Sequence, residues 1–321
     1  MRDAFANTLT ELAASDPRIM LLTGDLGFGV FHRFRDLFSS RFINAGVAEQ
    51  NMMGLATGLA LEGRIVFTYS IGNFGTLRCL EHIRNDVCFH DANVKVVSVG
   101  AGFSYGALGI SHHATEDLAI MRSLPNMVVV SPCDVWEARE GTRAIAARQG
   151  PAFLRLDKSV APTAQRDGEP FCLGRARVIR AGWDVTLMAT GGILAEALWA
   201  ADKLAGDGIS CRVLSIHTVK PIDLNAIRSA ARETAGIVTV EEHTVEGGLG
   251  SAVAEVLLEA GDHPGFFTRI GLRAGFSSIV GSQQYLRAAY GMDAGAIIGA
   301  VVKLLKSKPV RILRRPAEVR V

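Results

Sequence analysis

The 321-residue chain is poor in cysteine: five thiols, at Cys79, Cys88, Cys133, Cys172 and Cys211, odd in number and with no Cys-x-x-Cys among them. That pattern argues against a disulfide frame and a zinc site and for a reducing, cytoplasmic setting. No apolar run approaches the roughly 18 residues that a membrane span needs. The opening stretch from Met1 to Asn7 lacks the charged-then-apolar order of a secretion signal. Charge of one sign is also scarce, the net charge being +2. Its distribution is uneven, because seven Lys/Arg and one Glu fall from Lys303 onward. No aromatic residue interleaves with those cations to stack on bases. The tail therefore reads as a solvated arm or a strap onto a partner subunit, not a nucleic-acid site. Internal repeats and low-complexity segments are absent.

What is present is an ample core, 49% hydrophobic against 21% charged, in a chain long enough for two ordinary domains. Apolar periodicity switches repeatedly between helical stripes and strand-like runs. Phe5, Leu9 and Leu12 mark a first helix, and Ile19 to Leu22 a short buried strand. Helices are expected at 46–61, 76–89 and 135–147, with strands at 64–69, 94–99, 127–130 and 153–156. A polar, proline-flanked stretch from Pro162 to Pro170 has no periodicity and reads as a linker. Alternation then resumes, ending in a helix near 294–305. The expected fold class is α/β, with two domains that are each a mostly parallel sheet flanked by helices. The expected division is 1–160 and 174–308, with a linker at 161–173 and a basic tail at 309–321.

The segment from Arg41 to Asn51 is the most informative. It sets one carboxylate, Glu49, at the mouth of an apolar helix after a short strand and a small-residue turn, with no obvious charge partner. Open α/β sheets place ligand chemistry at such junctions. The spacing alone fits equally a tuned acid/base group and a first-turn Glu that complements the helix dipole.

Four pieces in order break that tie: Phe42-Ile-Asn-Ala-Gly-Val-Ala-Glu49-Gln, Glu81-His-Ile-Arg-Asn-Asp86-Val, Ser111-His112-His113, and Leu124-Pro-Asn-Met127. Together they resemble the pyrimidine-binding half of transketolases and their thiamine-diphosphate relatives. His217-Thr-Val-Lys-Pro221-Ile-Asp and the run from Glu241 to Gly250 resemble the same family's C-terminal domain. The resemblance implies that Glu49 contacts the ring nitrogen of the cofactor's aminopyrimidine and shuttles one proton there, which Gln could not do. It implies that Phe74, or the competing Tyr69, stacks on that flat ring. It also implies that His112 handles protons on substrate hydroxyls, with His113 a neighbour. Asp25, His32 and Lys158 are further substrate-site candidates, Lys158 standing where the family has a phosphate-binding Arg. His217 and His243 are weaker ones. Glu81 and Arg84 suit an ion pair on one helix face.

The sequence departs from the pattern twice. Leu108 stands where transketolases carry an acid, and Gly100-Ala101-Gly102 offers no phosphate-binding side chain. The family's Gly-Asp-Gly and downstream Asn, which hold the diphosphate and Mg2+ (or Ca2+), have no counterpart after Gly24-Asp25-Leu26. No metal ligand is therefore expected here. The resemblance implies a partner: an N-terminal, diphosphate-binding subunit in a two-plus-two assembly acting on sugars, away from nucleic acid and membrane. The expected activity is transfer of a two-carbon ketol unit from a ketose to an aldehyde. The alternatives are the beta subunit of a 2-oxo acid dehydrogenase first component, a deoxyxylulose-phosphate-synthase-like carboligase, and a non-catalytic paralogue.

Overall fold

A computed structural model describes residues 1–163, 168–273 and 275–307. The expected basic tail, 309–321, and linker residues 164–167 lie outside the described residues. The first half runs α1 (Arg2–Ser15), β1 (Ile19–Thr23), α2 (His32–Leu37), β2 (Phe42–Asn44), α3 (Glu49–Leu61), β3 (Ile65–Ile71), α4 (Gly72–Gly75), α5 (Leu80–His82), β4 (Val94–Val99), α6 (Asp117–Ser123), β5 (Val128–Val130), α7 (Val135–Ala147) and β6 (Ala152–Leu156). The second half runs β7 (Arg177–Arg180), β8 (Val185–Thr190), α8 (Leu194–Gly206), β9 (Cys211–Ser215), β10 (Thr218–Lys220), α9 (Leu224–Glu233), β11 (Gly236–Thr244), α10 (Leu249–Glu259), β12 (Phe266–Leu272), α11 (Gln283–Ala289) and α12 (Ala294–Ser307).

Two sheets result, ordered β10-β5-β6-β4-β3-β1-β2 and β12-β11-β8-β9-β7. Among the described residues every pairing is parallel except β10 on β5 and β7 on β9. The central strands β1, β4 and β6 are buried at every position, as a sheet covered on both faces requires. In α1 the buried Phe5, Leu9 and Ala13 repeat at helical spacing. Side-chain caps start α7 (Asp134 accepts from Glu137 N, 2.6 Å) and α9 (Asp223 accepts from Ala226 N, 2.9 Å).

Three findings depart from the sequence reading. The helix expected over 76–89 is broken into a tight turn at Leu77–Cys79, α5, and a π-type turn at Ile83–Cys88. Two carbonyls there are claimed from outside a regular ladder, Arg78 O by Gln50 Nε2 (3.1 Å) and Phe74 O by Cys79 Sγ (3.2 Å). The expected Glu81–Arg84 pair gives way to Arg84 donating to Asn85 Oδ1 (2.7 Å). Second, β10 lies beyond the linker yet completes the first sheet, Thr218 pairing with Val130. Third, Gln283–Lys306 is, by length and composition, long and apolar enough to cross a membrane, a property that the search for uninterrupted apolar runs does not reveal, since no such run here nears 18 residues. It forms two helices, α11 and α12, and buries Leu286, Met292, Ile297 and Val301 in the second core.

Candidate active site at the strand ends

The carboxyl ends of β1, β2, β3, β4 and β6 open on one edge of the first sheet, where open parallel sheets bind ligands. The turn after β2 delivers Glu49 as the first residue of α3, only 2% exposed. Its Oε2 accepts from Arg78 Nη1 at 2.8 Å, and the Arg78 side chain is 46% exposed. Nothing in the sequence pointed to this partner; it lies 29 positions on, past a backbone turn. Gly24, at the end of β1, leaves the space the carboxylate uses. A Cβ there would stand 3.2 Å from Glu49 Cγ.

Three further groups continue from Arg78. Its guanidinium carbon lies 4.7 Å from the centre of the Phe74 ring. The His112 imidazole meets Phe74 edge-on, centroids 5.1 Å apart. Ser111 Oγ lies 3.0 Å from His112 Nδ1, and the Tyr105 ring lies 6.1 Å from the imidazole. Partial burial, with a smaller contribution from His113, holds the His112 pKa below the usual imidazole value. Lys158 Nζ sits 3.7 Å over the Tyr105 ring. Its pKa is lowered first by desolvation and then by Arg2. Glu49, Arg78, Phe74, His112, Tyr105 and Lys158 therefore form one contiguous chain of contacts.

The other expected residues lie elsewhere. Tyr69 is buried in the first core, parallel to Phe5 (6.2 Å) and edge-on to Phe31 (4.7 Å). Asp25, at φ +56°, is clasped by Asn44, which accepts from Asp25 N (2.9 Å) and donates to Asp25 Oδ1 (3.0 Å). This ties together the ends of β1 and β2. His32 starts α2 and places Nδ1 3.0 Å from Gly29 O. His113 is buried with Nε2 3.0 Å from Gly106 O, while its own carbonyl accepts from Asn73 Nδ2 (2.9 Å). His217 stacks on Phe171 at 4.2 Å, and His243 accepts from Ala119 N; burial takes the pKa of each down to about 4. Leu108, which stands in place of the family's acid, is exposed.

Among the described residues one cluster has metal-ligand chemistry. Cys133, Asp134 and Glu137 bring buried ligand atoms within 4.8 Å of one another. Arg177 Nη1 sits 2.8 Å from Asp134 Oδ2 and 3.7 Å from Glu137 Oε1, so a guanidinium already supplies the positive charge a cation would bring.

Two family models match: transketolase pyrimidine binding domain over residues 1–163 and transketolase C-terminal domain over residues 174–297. The chain is 39% identical over 312 residues to a 6-deoxy-6-sulfo-D-fructose transketolase subunit of Clostridium sp. (strain MSTE9), covering 97% of this chain and 96% of that one. It is 35% identical over 307 residues to an apulose-4-phosphate transketolase subunit of Phocaeicola vulgatus, covering 95% and 97% respectively. A solved structure described as a split gene transketolase, inactive beta4 tetramer, superposes with a TM-score of 0.86 at 39% identity, covering 96% of this chain and 98% of that one. With the two-sheet fold and these matches along nearly its whole length, the chain belongs to the transketolase family.

Proposed function

We propose that the chain is one subunit of a split transketolase. Joined by a diphosphate-binding subunit, it transfers a two-carbon ketol unit from a ketose to an aldehyde acceptor in a thiamine-diphosphate-dependent reaction. The observation that carries this reading is Glu49. It is buried at the mouth of α3 with Oε2 taken by Arg78, and Oε1 has no hydrogen-bond partner among the described residues. A carboxyl with one atom held and one open, beside a flat aromatic ring and an imidazole, fits the aminopyrimidine half of the cofactor. Gly24 supplies the room.

Thiamine diphosphate, when bound, would supply the carbon nucleophile and the electron sink. Glu49 would hold or release one proton at a ring nitrogen, its orientation set by Arg78. Phe74 would present its ring to the pyrimidine. His112, whose pKa burial holds below the usual imidazole value, would take a proton from a substrate hydroxyl. Lys158 is a point charge suited to a terminal anion. The two relatives described above are named for a sulfonated and a phosphorylated sugar, and a sugar carrying such a group is the proposed substrate class. Magnesium or calcium would be held by the partner, since Arg177 already pairs with Asp134 and Glu137 of the grouped ligand atoms here. A two-plus-two assembly in the cytoplasm completes the proposal. The relative solved as an inactive beta4 tetramer supports dependence on a partner.

The test is to purify the chain alone and with a diphosphate-binding partner, add thiamine diphosphate and Mg2+, and assay ketol transfer from phosphorylated and sulfonated ketoses. Transfer only by the mixed assembly is expected. Turnover by this chain alone, or an inactive mixed assembly that has taken up cofactor, would sink the proposal.

A further inference from the structure

We propose that Glu242, from the second half of the chain, is a positioning residue for His112, fixing the root of the loop that presents that imidazole. The proposal rests on the reading of His112 as a site residue. The loop leaves β4 and returns to α6, and its two roots pair with each other: Gly102 N to Ala114 O at 2.9 Å, Ala114 N to Gly102 O at 3.0 Å. Glu242 lies directly beneath these roots, 1% exposed, near the end of β11. Its Oε1 accepts from Phe103 N at 2.5 Å, the first residue inside the loop. Its backbone carbonyl and that of Ala114 share Arg155 Nη2, at 3.1 and 2.8 Å. Glu242 thus holds one root directly, by its side chain, and is tied to the other through the shared Arg155 guanidinium.

Glu242 is itself held rigidly. Gln283 Nε2 donates to both of its carboxylate oxygens (3.0 and 3.1 Å), and Arg287 Nε donates to Oε2 at 2.5 Å. Both donors lie on α11. The same region reaches the middle of the loop, where Gly281 N donates to Gly106 O at 3.3 Å, the carbonyl that also faces His113 Nε2. Gly102 adopts φ +55°, and a Cβ there would fall 2.6 Å from Glu242 Cγ and Oε1. The close approach leaves no room for a side chain. Glu242 makes no hydrogen bond to His112, so any influence passes through the loop. Displacements of about 1 Å at a reacting group can cost on the order of a hundredfold in rate.

A residue that only glues the two halves together would lower stability and nothing else. The discriminating experiment is a double-mutant cycle in the mixed assembly, with kcat measured per folded site. Glu242→Ala is expected to lower kcat by about tenfold to a hundredfold with cofactor affinity unchanged, and to cost less than about twofold once His112 is already Ala. An equal factor in both backgrounds overturns the proposal. Glu242→Gln keeps the side chain's length but replaces one of the two oxygens that accept from Gln283 and Arg287 with a donor, so it loosens the clamp and covers the case in which the Ala variant does not fold. A second arm needs no turnover: in the isolated, histidine-labelled chain, Glu242→Gln is expected to shift the His112 ring resonance and its titration midpoint. An unmoved His112 signal in the folded variant overturns the positioning role. If the mixed assembly transfers no ketol at all, the proposed function fails while this arm still decides the role of Glu242.

Discussion

Two regions of this molecule use charge in opposite ways. At the strand-end site, the buried Glu49 is paired with an Arg78 that is nearly half exposed, and Phe28, Val47 and Leu77 stand open to solvent on neighbouring segments. Behind it, where the two sheets meet, Arg155 and Asp117 pair at 2.8 Å with side chains 1% and 0% exposed, and Arg287 pairs with Glu242 almost as deeply. The front is incomplete and adjustable. The back is closed, and its charges are saturated with hydrogen bonds: Arg155 alone donates to Asp117, Ala114 O and Glu242 O. The front pair keeps one member, Arg78, within reach of solvent. Groups that hold the geometry are buried beyond reach, at a desolvation cost offset by that density of hydrogen bonds.

This contrast can be broken by substitution, the largest effect first. Glu49→Gln removes the proposed proton-transfer group from the front and is expected to lower turnover of the mixed assembly by about 100- to 10,000-fold while leaving the denaturation midpoint in place; near-normal turnover defeats the assignment. Arg155→Met strikes the back. It leaves Asp117 buried and uncompensated, with an expected loss of about 3–5 kcal/mol in urea unfolding. A loss under about 1 kcal/mol would remove the distinction between the regions.

A third test uses pH. His217 and His243 are pushed by burial down to about 4, against about 6.5 in an unfolded chain. Between those values the unfolded state binds protons that the folded state refuses, so their contribution to stability falls as the pH drops from about 6.5 to 4. Glu137 and Glu241 are raised by burial to about 7 and act with the opposite sign over the same window. The informative quantity is therefore a difference between variant and parent. Melting curves of His217→Gln against the parent should show the variant losing less stability on acidification; parallel curves would remove the buried neutral histidine from the account. The smallest effect is expected for Arg78→Ala, at most about 1 kcal/mol of stability, since nearly half of that side chain already faces water.

Much of the front was legible in the sequence because it is local. Glu49 falls one short turn after β2, and His112 sits on a long glycine-rich loop; spacing placed them near the strand ends, and the family resemblance singled them out. Long-range contacts were not legible. Arg78 reaches Glu49 only because the expected helix over 76–89 breaks into short turns. Tyr69 was read as a site candidate because it closes β3. Which face of a fully buried strand a side chain takes is invisible when both faces are apolar, and its side points to Phe5 and Phe31. The span-like stretch at Gln283–Lys306 was missed because no single run in it is uninterrupted, and its division into α11 and α12 depends on packing against the second core. Glu242 and Arg287 look like ordinary surface charges in sequence; only the meeting of the two halves buries them.

The strand β10 has a practical meaning for anyone dissecting this protein. A truncation after residue 163 would strip Thr218–Lys220 from its seat and leave Val128–Val130 as a bare apolar margin. Such margins recruit strands from other chains. The fragment would be prone to aggregate, and adding back the missing half in trans would be the direct way to rescue it.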